Sequence, residues 1–308
     1  MNILSLFDGM SCGQIALDQL DIDVDNYYAS EINKYAKKVT NQNYPNTIQL
    51  GDVKEIKDDD LDELPKIDLL IGGTPCKNLS RTVINRENYN QGLEGKKSKL
   101  FYEYVRILDY IKQNNNQDIL FLLENVASMS DKDKKIITKT LGVKPIKINS
   151  NLVSAQDRKR YYWTNIKVEN KPNNKNILLK DVMLSVEEVN EIEESGRKNY
   201  WYDEYFDFHG LDNKVAATLD INGHDILKRV YSPNFKCGTL TTCTGGNREK
   251  KVFQNGKCRK LTPLEYEMLQ TVPENYTNYV SATRRYNMLG NGWTVDIIKY
   301  IFKHIEQE

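Results

Sequence analysis

Two side chains of this chain, Cys76 and Glu124, are of types and at positions that could do covalent or acid–base work. Cys76 closes the stretch Asp68-Leu-Leu-Ile-Gly-Gly-Thr-Pro-Cys76. There Leu69, Leu70 and Ile71 read as a buried strand that meets a glycine breaker. Pro75 fixes the backbone just before the thiol, so Cys76 is expected at the mouth of a sheet, where open α/β sheets bind ligands. A cysteine there is either a small apolar strand-end residue or a nucleophile. The second role needs a cation that favours the thiolate and another group that activates the substrate. Ile119-Leu-Phe-Leu-Leu123 is another apolar strand, and it ends at Glu124-Asn125-Val126. A carboxylate at the carboxyl end of a core strand is costly unless it has a task. Gln156-Asp-Arg158-Lys-Arg160 puts charge just ahead of the strand Tyr161-Tyr-Trp163.

These groups have to be held by a nucleoside-binding framework, and its signals are in the first sixty residues. Ile3–Phe7 reads as a strand, followed by Asp8-Gly9-Met-Ser-Cys-Gly13 and a helical pattern through Ile15, Ala16 and Leu20. A glycine turn between strand and helix lets a ligand approach backbone amides. Tyr27-Tyr-Ala29 reads as a second strand, ending at Ser30-Glu31-Ile32. An acidic residue about twenty positions after the glycine turn is placed to accept hydrogen bonds from ribose hydroxyls. At the third strand end, Gly51-Asp52-Val53, the aspartate has two readings. It bonds an adenine amino group with Val53 against the ring, or it caps the next helix. Up to this point a dinucleotide oxidoreductase also remains open.

Helices are expected over 33–43 and 100–108, in an acidic stretch around Glu187–Glu194, after the N-cap Thr262 with Pro263 in the first turn, and at the C-terminus, opened by Gly290-Asn-Gly-Trp293. Residues 81–98 are polar and lack periodicity, as a lid or binding loop does. Composition shifts at Lys171-Pro-Asn-Asn-Lys-Asn176, and the short strands and turns that follow, up to Lys257, read as a separate small domain.

The 308 residues are enough for a sizeable core. Mean hydropathy is -0.63, and no apolar run is long enough to span a bilayer. No basic leader precedes the first strand, so no signal peptide is expected. Five scattered cysteines suggest a reducing cytosol rather than a disulfide framework. No Cys-x-x-Cys pair is present, so Cys237, Cys243 and Cys258 with His224 are not expected to hold a metal. A formal net charge of zero argues against a generally basic nucleic-acid coat but leaves room for local basic patches.

Taken together, Phe7-Asp-Gly-x-x-x-Gly13, Thr74-Pro-Cys76, Glu124-Asn-Val126, Gln156-x-Arg158-x-Arg160, Leu261-Thr-Pro263 to Pro273 and Gly290-Asn-Gly-Trp-Thr-Val295 resemble the ordered motifs of the DNA cytosine-C5 methyltransferases. Gly51-Asp-Val53 and Glu124-Asn-Val-Ala-Ser-Met129 look most like the animal de novo branch. Lys77-Asn78 departs from the residues that many bacterial members carry after the cysteine. The resemblance implies an α/β Rossmann-like catalytic domain over 1–166, a small target-recognition domain over 167–258, and a C-terminal segment, 259–308, that completes the first. It implies a Cys76 nucleophile, Glu124 on a flipped-out cytosine, and Arg158 and Arg160 on the base carbonyl and adjacent phosphate. S-adenosylmethionine would be held by Phe7, Asp8, Gly9, Gly13, Glu31, Ile32, Asp52, Val53, Pro75, Asn291 and Trp293. DNA would meet Ser80, Arg81, the wedge candidates Val83 and Ile84, and Thr244, Arg248, Lys250 and Lys251. Double-stranded DNA is the implied partner, with a cognate restriction endonuclease if the enzyme serves a modification system. A tRNA methyltransferase of the same fold and a catalytically silent DNA-binding homologue are the alternatives.

Overall fold

The computed structural model describes residues 1–75, 93, 99–196, 199–243 and 247–305. The chain forms two compact units, one comprising Met1–Ile148, Lys159–Lys171 and Ile298–Glu308, the other Asn149–Arg158 and Pro172–Ile297.

The first unit is built on a seven-stranded sheet. Its strands are β1 (Asn2–Leu6), β2 (Asn26–Ser30), β3 (Ile48–Gln49), β4 (Leu69–Gly73), β5 (Leu120–Val126), β6 (Ile146–Asn149) and β8 (Lys159–Thr164), in the order β3-β2-β1-β4-β5-β8-β6. The two residues of β7 (Gln156–Asp157) pair elsewhere. The strands β1 to β5 run parallel, and β8 is antiparallel to β5. Ile3, Leu4, Leu6, Leu69, Leu70 and Ile71 are all 0% exposed. Strands covered on both faces need such continuous apolar runs instead of alternation. Because β1 lies between β2 and β4, the strand order reverses there, and the loops leaving β1 and β4 diverge at the switch point where ligands bind.

The sheet is flanked by α1 (Cys12–Asp18), α2 (Lys34–Asn43), α3 (Asp58–Asp62), α4 (Leu100–Asn114) and α5 (Asp131–Leu141). Helix α4 buries Phe101, Tyr104, Leu108 and Ile111, a stripe at helical spacing. Helix α5 was not expected from the sequence, since only Ile137 and Leu141 supply buried apolar side chains. Its ends explain it: Ser130 accepts from the Asp133 N–H, and Gly142 stops it at φ 71°. At Gly72 a Cβ would come within 3.0 Å of Tyr104 and 3.1 Å of the Leu6 carbonyl, so the glycine lets α4 sit close on the sheet.

The second unit carries a five-stranded sheet, β9 (Phe206–Phe208), β10 (Val215–Leu219), β11 (Arg229–Tyr231), β13 (Lys251–Gln254) and β14 (Lys257–Lys260), in the order β14-β13-β11-β10-β9. The short β12 (Cys237–Gly238) pairs with β7. Strands β13 and β14 form a hairpin through Asn255-Gly256, both at positive φ, as a tight two-residue turn requires. The helices are α6 (Val186–Ser195), α7 (Asp225–Lys228), α8 (Pro263–Leu269) and α9 (Ala282–Asn291). As its sequence predicts, α8 starts at the N-cap Thr262 with Pro263 in the first turn, and Glu265 completes a capping box. Glu265 also receives both terminal nitrogens of Arg259, at 2.9 and 2.6 Å, with neither side chain exposed. The final helix departs from expectation. Gly290 and Asn291 close α9, Gly292 caps it, and α10 (Val295–Phe302) opens only after Thr294.

Among the described residues no helix is long and apolar enough to cross a membrane, and no cluster of three or more metal-ligating side chains is present. Cys12, Cys237, Cys243 and Cys258 are buried.

Candidate active site

At the carboxyl end of β5, Glu124 is 8% exposed and its Oε1 lies 2.7 Å from Arg160 Nε. The antiparallel register pairs Glu124 with Tyr162 and Val126 with Arg160. Arg160 therefore stands diagonally across from the carboxylate on the same sheet face, within reach of a long side chain. On the other side, Gly73 of β4 is the register partner of Glu124. The next residue, Asn125, is 1% exposed. Its amide donates to the Thr74 carbonyl at 3.1 Å and the Thr74 hydroxyl at 2.9 Å. The end of β5 thus holds the backbone that leads through Pro75 toward Cys76. Sequence reasoning did not single out Asn125 or Thr74 for this role; both sat inside motifs chosen for their neighbours. Cys76, Ser80, Arg81, Val83, Ile84 and Thr244 lie outside the described residues.

The loop after β1 is fastened from below. Phe7, Gly9 and Ser11 all take positive φ, at 58°, 63° and 57°. The Asp8 carboxylate accepts from Ser5 Oγ at 2.6 Å, from Tyr27 Oη at 2.9 Å and from Ser11 Oγ. Burial pushes the Asp8 carboxyl above the usual carboxylate range against these three donors, and the nearby Glu31 charge adds to the rise. Asp8 therefore fastens the loop internally. At Gly13 a Cβ would meet Ile71 Cδ1 at 2.2 Å and Tyr27 Oη at 3.2 Å, so the glycine packs α1 onto the sheet.

Gly9, by contrast, has open space on its Cβ side. Its amide donates to Glu31 Oε2 at 2.8 Å, and the Asn33 amide donates to Glu31 Oε1 at 2.6 Å. A carboxylate has about four lone-pair sites, so two remain for hydroxyl donors. The neighbouring Ile32 is 72% exposed, an apolar side chain with no core to join. Asp52 does what one of its two readings required, accepting from the Lys54 N–H at 3.1 Å as a cap. Val53 is 3% exposed and packs into the main core.

In the second unit, Arg158 is 2% exposed. It donates to the carbonyls of Leu240 at 3.1 Å, Gly290 at 3.3 Å and Gly292 at 2.8 Å. A Cβ at Gly290 would strike the Thr241 carbonyl at 2.4 Å. This glycine and this arginine therefore draw the 240–242 backbone against the end of α9. Asn291 is exposed and Trp293 is half-buried. Arg248 is exposed, as a base-reading side chain must be.

The two lysines expected on phosphates are buried. Lys250 is 8% and Lys251 1% exposed. Lys251 Nζ donates to the carbonyls of Asn247 at 2.7 Å and Glu249 at 3.0 Å. Burial lowers both ammonium groups and brings Lys251 down to about 8.

Comparison with known proteins identifies the family and the fold. The orphan methyltransferase M.SPBetaI of Bacillus phage SPbeta is 23% identical over an alignment of 438 residues that covers 99% of this chain and 97% of the phage protein. The DNA (cytosine-5)-methyltransferase DRM1 of Arabidopsis thaliana is 34% identical over 123 residues, 37% of this chain and 19% of the plant protein. Two solved structures share the fold over nearly the whole chain. The Entamoeba histolytica methyltransferase EhMeth has TM-score 0.68 at 15% identity, with coverage of 100% and 99%. The S. pombe Dnmt2 methyltransferase has TM-score 0.60 at 17% identity, with coverage of 98% and 97%. The sequence profile of the C-5 cytosine-specific DNA methylases matches residues 1–307, and the chain belongs to that family.

Proposed function

We propose that this DNA cytosine-C5 methyltransferase works through a covalent Cys76 adduct, with Glu124 as the group that engages the target base. The observation that supports this most is the Glu124–Arg160 pair at the end of β5, beside a Thr74 tethered by Asn125 two residues before Cys76. Cytosine C5 is a poor nucleophile. Addition of the Cys76 thiolate to C6 makes the ring an enamine that accepts a methyl group at C5. Loss of the C5 proton and expulsion of the thiolate then restore the aromatic ring. Glu124 would hold N3 and the exocyclic amino group and balance the charge that develops on the ring, while Arg160 keeps the carboxylate aimed. The base has to leave the duplex to reach these groups.

S-adenosylmethionine, whose use is general to the family, supplies the electrophilic methyl group. The open face above Gly9, the spare lone pairs of Glu31 and the exposed Ile32 fit a nucleoside with ribose hydroxyls and a flat base. Phe7 would line this cradle, with Asn291 and Trp293 added by the family resemblance. Arg158 takes a positioning role, ordering the backbone next to those two residues. Target recognition is assigned to 167–258, with Arg248 as a base-reading side chain. In a restriction-modification setting the mark would protect the site of a cognate endonuclease; as an orphan, like the phage relative, the enzyme would mark DNA alone.

The test is a duplex carrying 5-fluorocytosine at the target. Fluorine cannot leave as a proton, so a denaturation-resistant adduct is expected with the native enzyme and none with Cys76→Ser, which still binds cofactor. An adduct that survives in Cys76→Ser overturns the assignment.

A further inference from the structure

Lys251, which the sequence assigns to DNA phosphates, is buried. Lys251 opens β13, where it is the register partner of Val230 on one side and Lys260 on the other. Instead of pointing to solvent, its ammonium turns back and bonds the carbonyls of Asn247 and Glu249, the two residues that bracket Arg248. A second side chain holds the same turn: Tyr202, 7% exposed, donates its hydroxyl to Asn247 Oδ1 at 3.2 Å, and its ring lies 5.7 Å from Lys251 Nζ. Asn247 takes φ 57°, a left-handed conformation that needs outside support in a non-glycine residue. Beyond the turn, the Lys250 amide donates to the hydroxyl of the fully buried Tyr266 at 2.7 Å. The residues on both sides of Arg248 are therefore fixed from beneath, and Arg248 alone of the Arg248–Lys251 run is exposed.

From this we infer that Lys251 and Tyr202 form a pedestal that presents Arg248 to a base pair, making them specificity-positioning residues that do not themselves touch DNA. The inference rests on the reading of Arg248 as a base-contacting side chain. An ammonium suits the task because it has three donors and can bond two carbonyls at once, which no neutral aliphatic side chain can do. Burial makes the bonds selective as well, since water is not there to replace them.

The experiment compares methylation motifs on random-sequence duplex DNA for the native enzyme, Arg248→Ala, Tyr202→Phe, Lys251→Met, and each of the last two combined with Arg248→Ala. Tyr202→Phe removes one hydroxyl and keeps the ring, so it tests the pedestal even if Lys251→Met fails to fold. The expected result is a motif relaxed at one and the same base pair in all three single variants. KM for cognate DNA should rise roughly tenfold at unchanged kcat, the loss of about one hydrogen bond to a charged group. In the Arg248→Ala background the second substitution should then change nothing further. If Arg248→Ala leaves the motif intact, the base-reading assignment fails and the pedestal with it. If Arg248→Ala relaxes the motif but Tyr202→Phe does not, or if the effects add in the double variants, the pedestal alone is overturned.

Discussion

Arg160→Ala is the most informative single perturbation of the proposed site. Arg160 and Glu124 have side chains only 12% and 10% exposed, joined at 2.7 Å, so the pair is shielded from the screening that makes surface ion pairs nearly worthless. A hydrogen bond to a charged group contributes about 1.5–3 kcal/mol. Removing one partner of a buried pair costs more, about 3–5 kcal/mol, because the other charge is left without compensation. Partial exposure puts the expected loss of folding stability for Arg160→Ala near the lower of these ranges, about 2 kcal/mol. Glu124→Gln should lose less, because the amide oxygen can still accept from Arg160 Nε, although the guanidinium loses its counter-charge. The double variant should recover part of the loss, a coupling of about 1–2 kcal/mol in a double-mutant cycle read by urea unfolding. Catalysis should behave differently. If Arg160 aims Glu124 at the base, single-turnover methyl transfer at saturating DNA falls by about 10- to 150-fold in Arg160→Ala, the same free energy expressed as a rate. Neutralising Glu124 as well should not restore it. Additive stabilities, or an unchanged single-turnover rate in Arg160→Ala, would refute the pairing as the feature that organises the site.

Other consequences can be checked directly. Glu31→Ala removes the acceptor that fastens the Gly9 and Asn33 amides as well as the proposed ribose contact; calorimetry should show S-adenosylmethionine binding weaker by about 1.5–3 kcal/mol with the fold intact by circular dichroism. Gly13→Ala drives a methyl into Ile71 Cδ1 and should destabilise the protein by about 1–3 kcal/mol, with Gly13→Ala/Ile71→Val recovering part of the loss in thermal melts. Glu265→Ala strands the Arg259 guanidinium at 0% exposure and should cost about 3–5 kcal/mol in urea unfolding, whereas surface carboxylates such as Glu187 should not register. Lys251 titrates near 8 when folded against 10.5 in an unfolded chain, so between those values the unfolded state holds more protons and stability rises with pH. The rise is at most about 1.4 kcal/mol per pH unit for one proton, and Lys251→Met should flatten it in denaturation series from pH 7.5 to 9.5.

The parts of the fold that could be read in the sequence are those where a local rule and the tertiary structure agree. The strands carrying Leu4, Leu70 and Leu123 are buried on both faces, so their apolar runs had no other explanation. Thr262, Pro263 and Glu265 wrote a helix start into four consecutive residues. Glu124 was identifiable because a carboxylate at the end of such a strand has no bland account. Helix α5 was hidden because two buried aliphatic side chains in eleven residues leave almost no periodicity, and its caps carry the signal instead. Several candidate site residues have surroundings that the sequence did not show, for a common reason. A sequence shows a charge or a glycine but not the direction it faces. Asp8 and Gly13 belong to a motif whose middle residue, Gly9, opens outward, while they turn inward to fasten the loop and seat the helix. Lys250 and Lys251, in a run of four charged residues, look like a solvated basic tip, and their burial follows from Tyr202, Tyr231 and Tyr266, distant in sequence, which close around them. Arg158 and Arg160 differ by one intervening residue in the chain, yet one guanidinium is directed to carbonyls and the other to a carboxylate. A motif therefore names the participants in a site, and long-range packing decides which of them face the substrate and which hold the others in place.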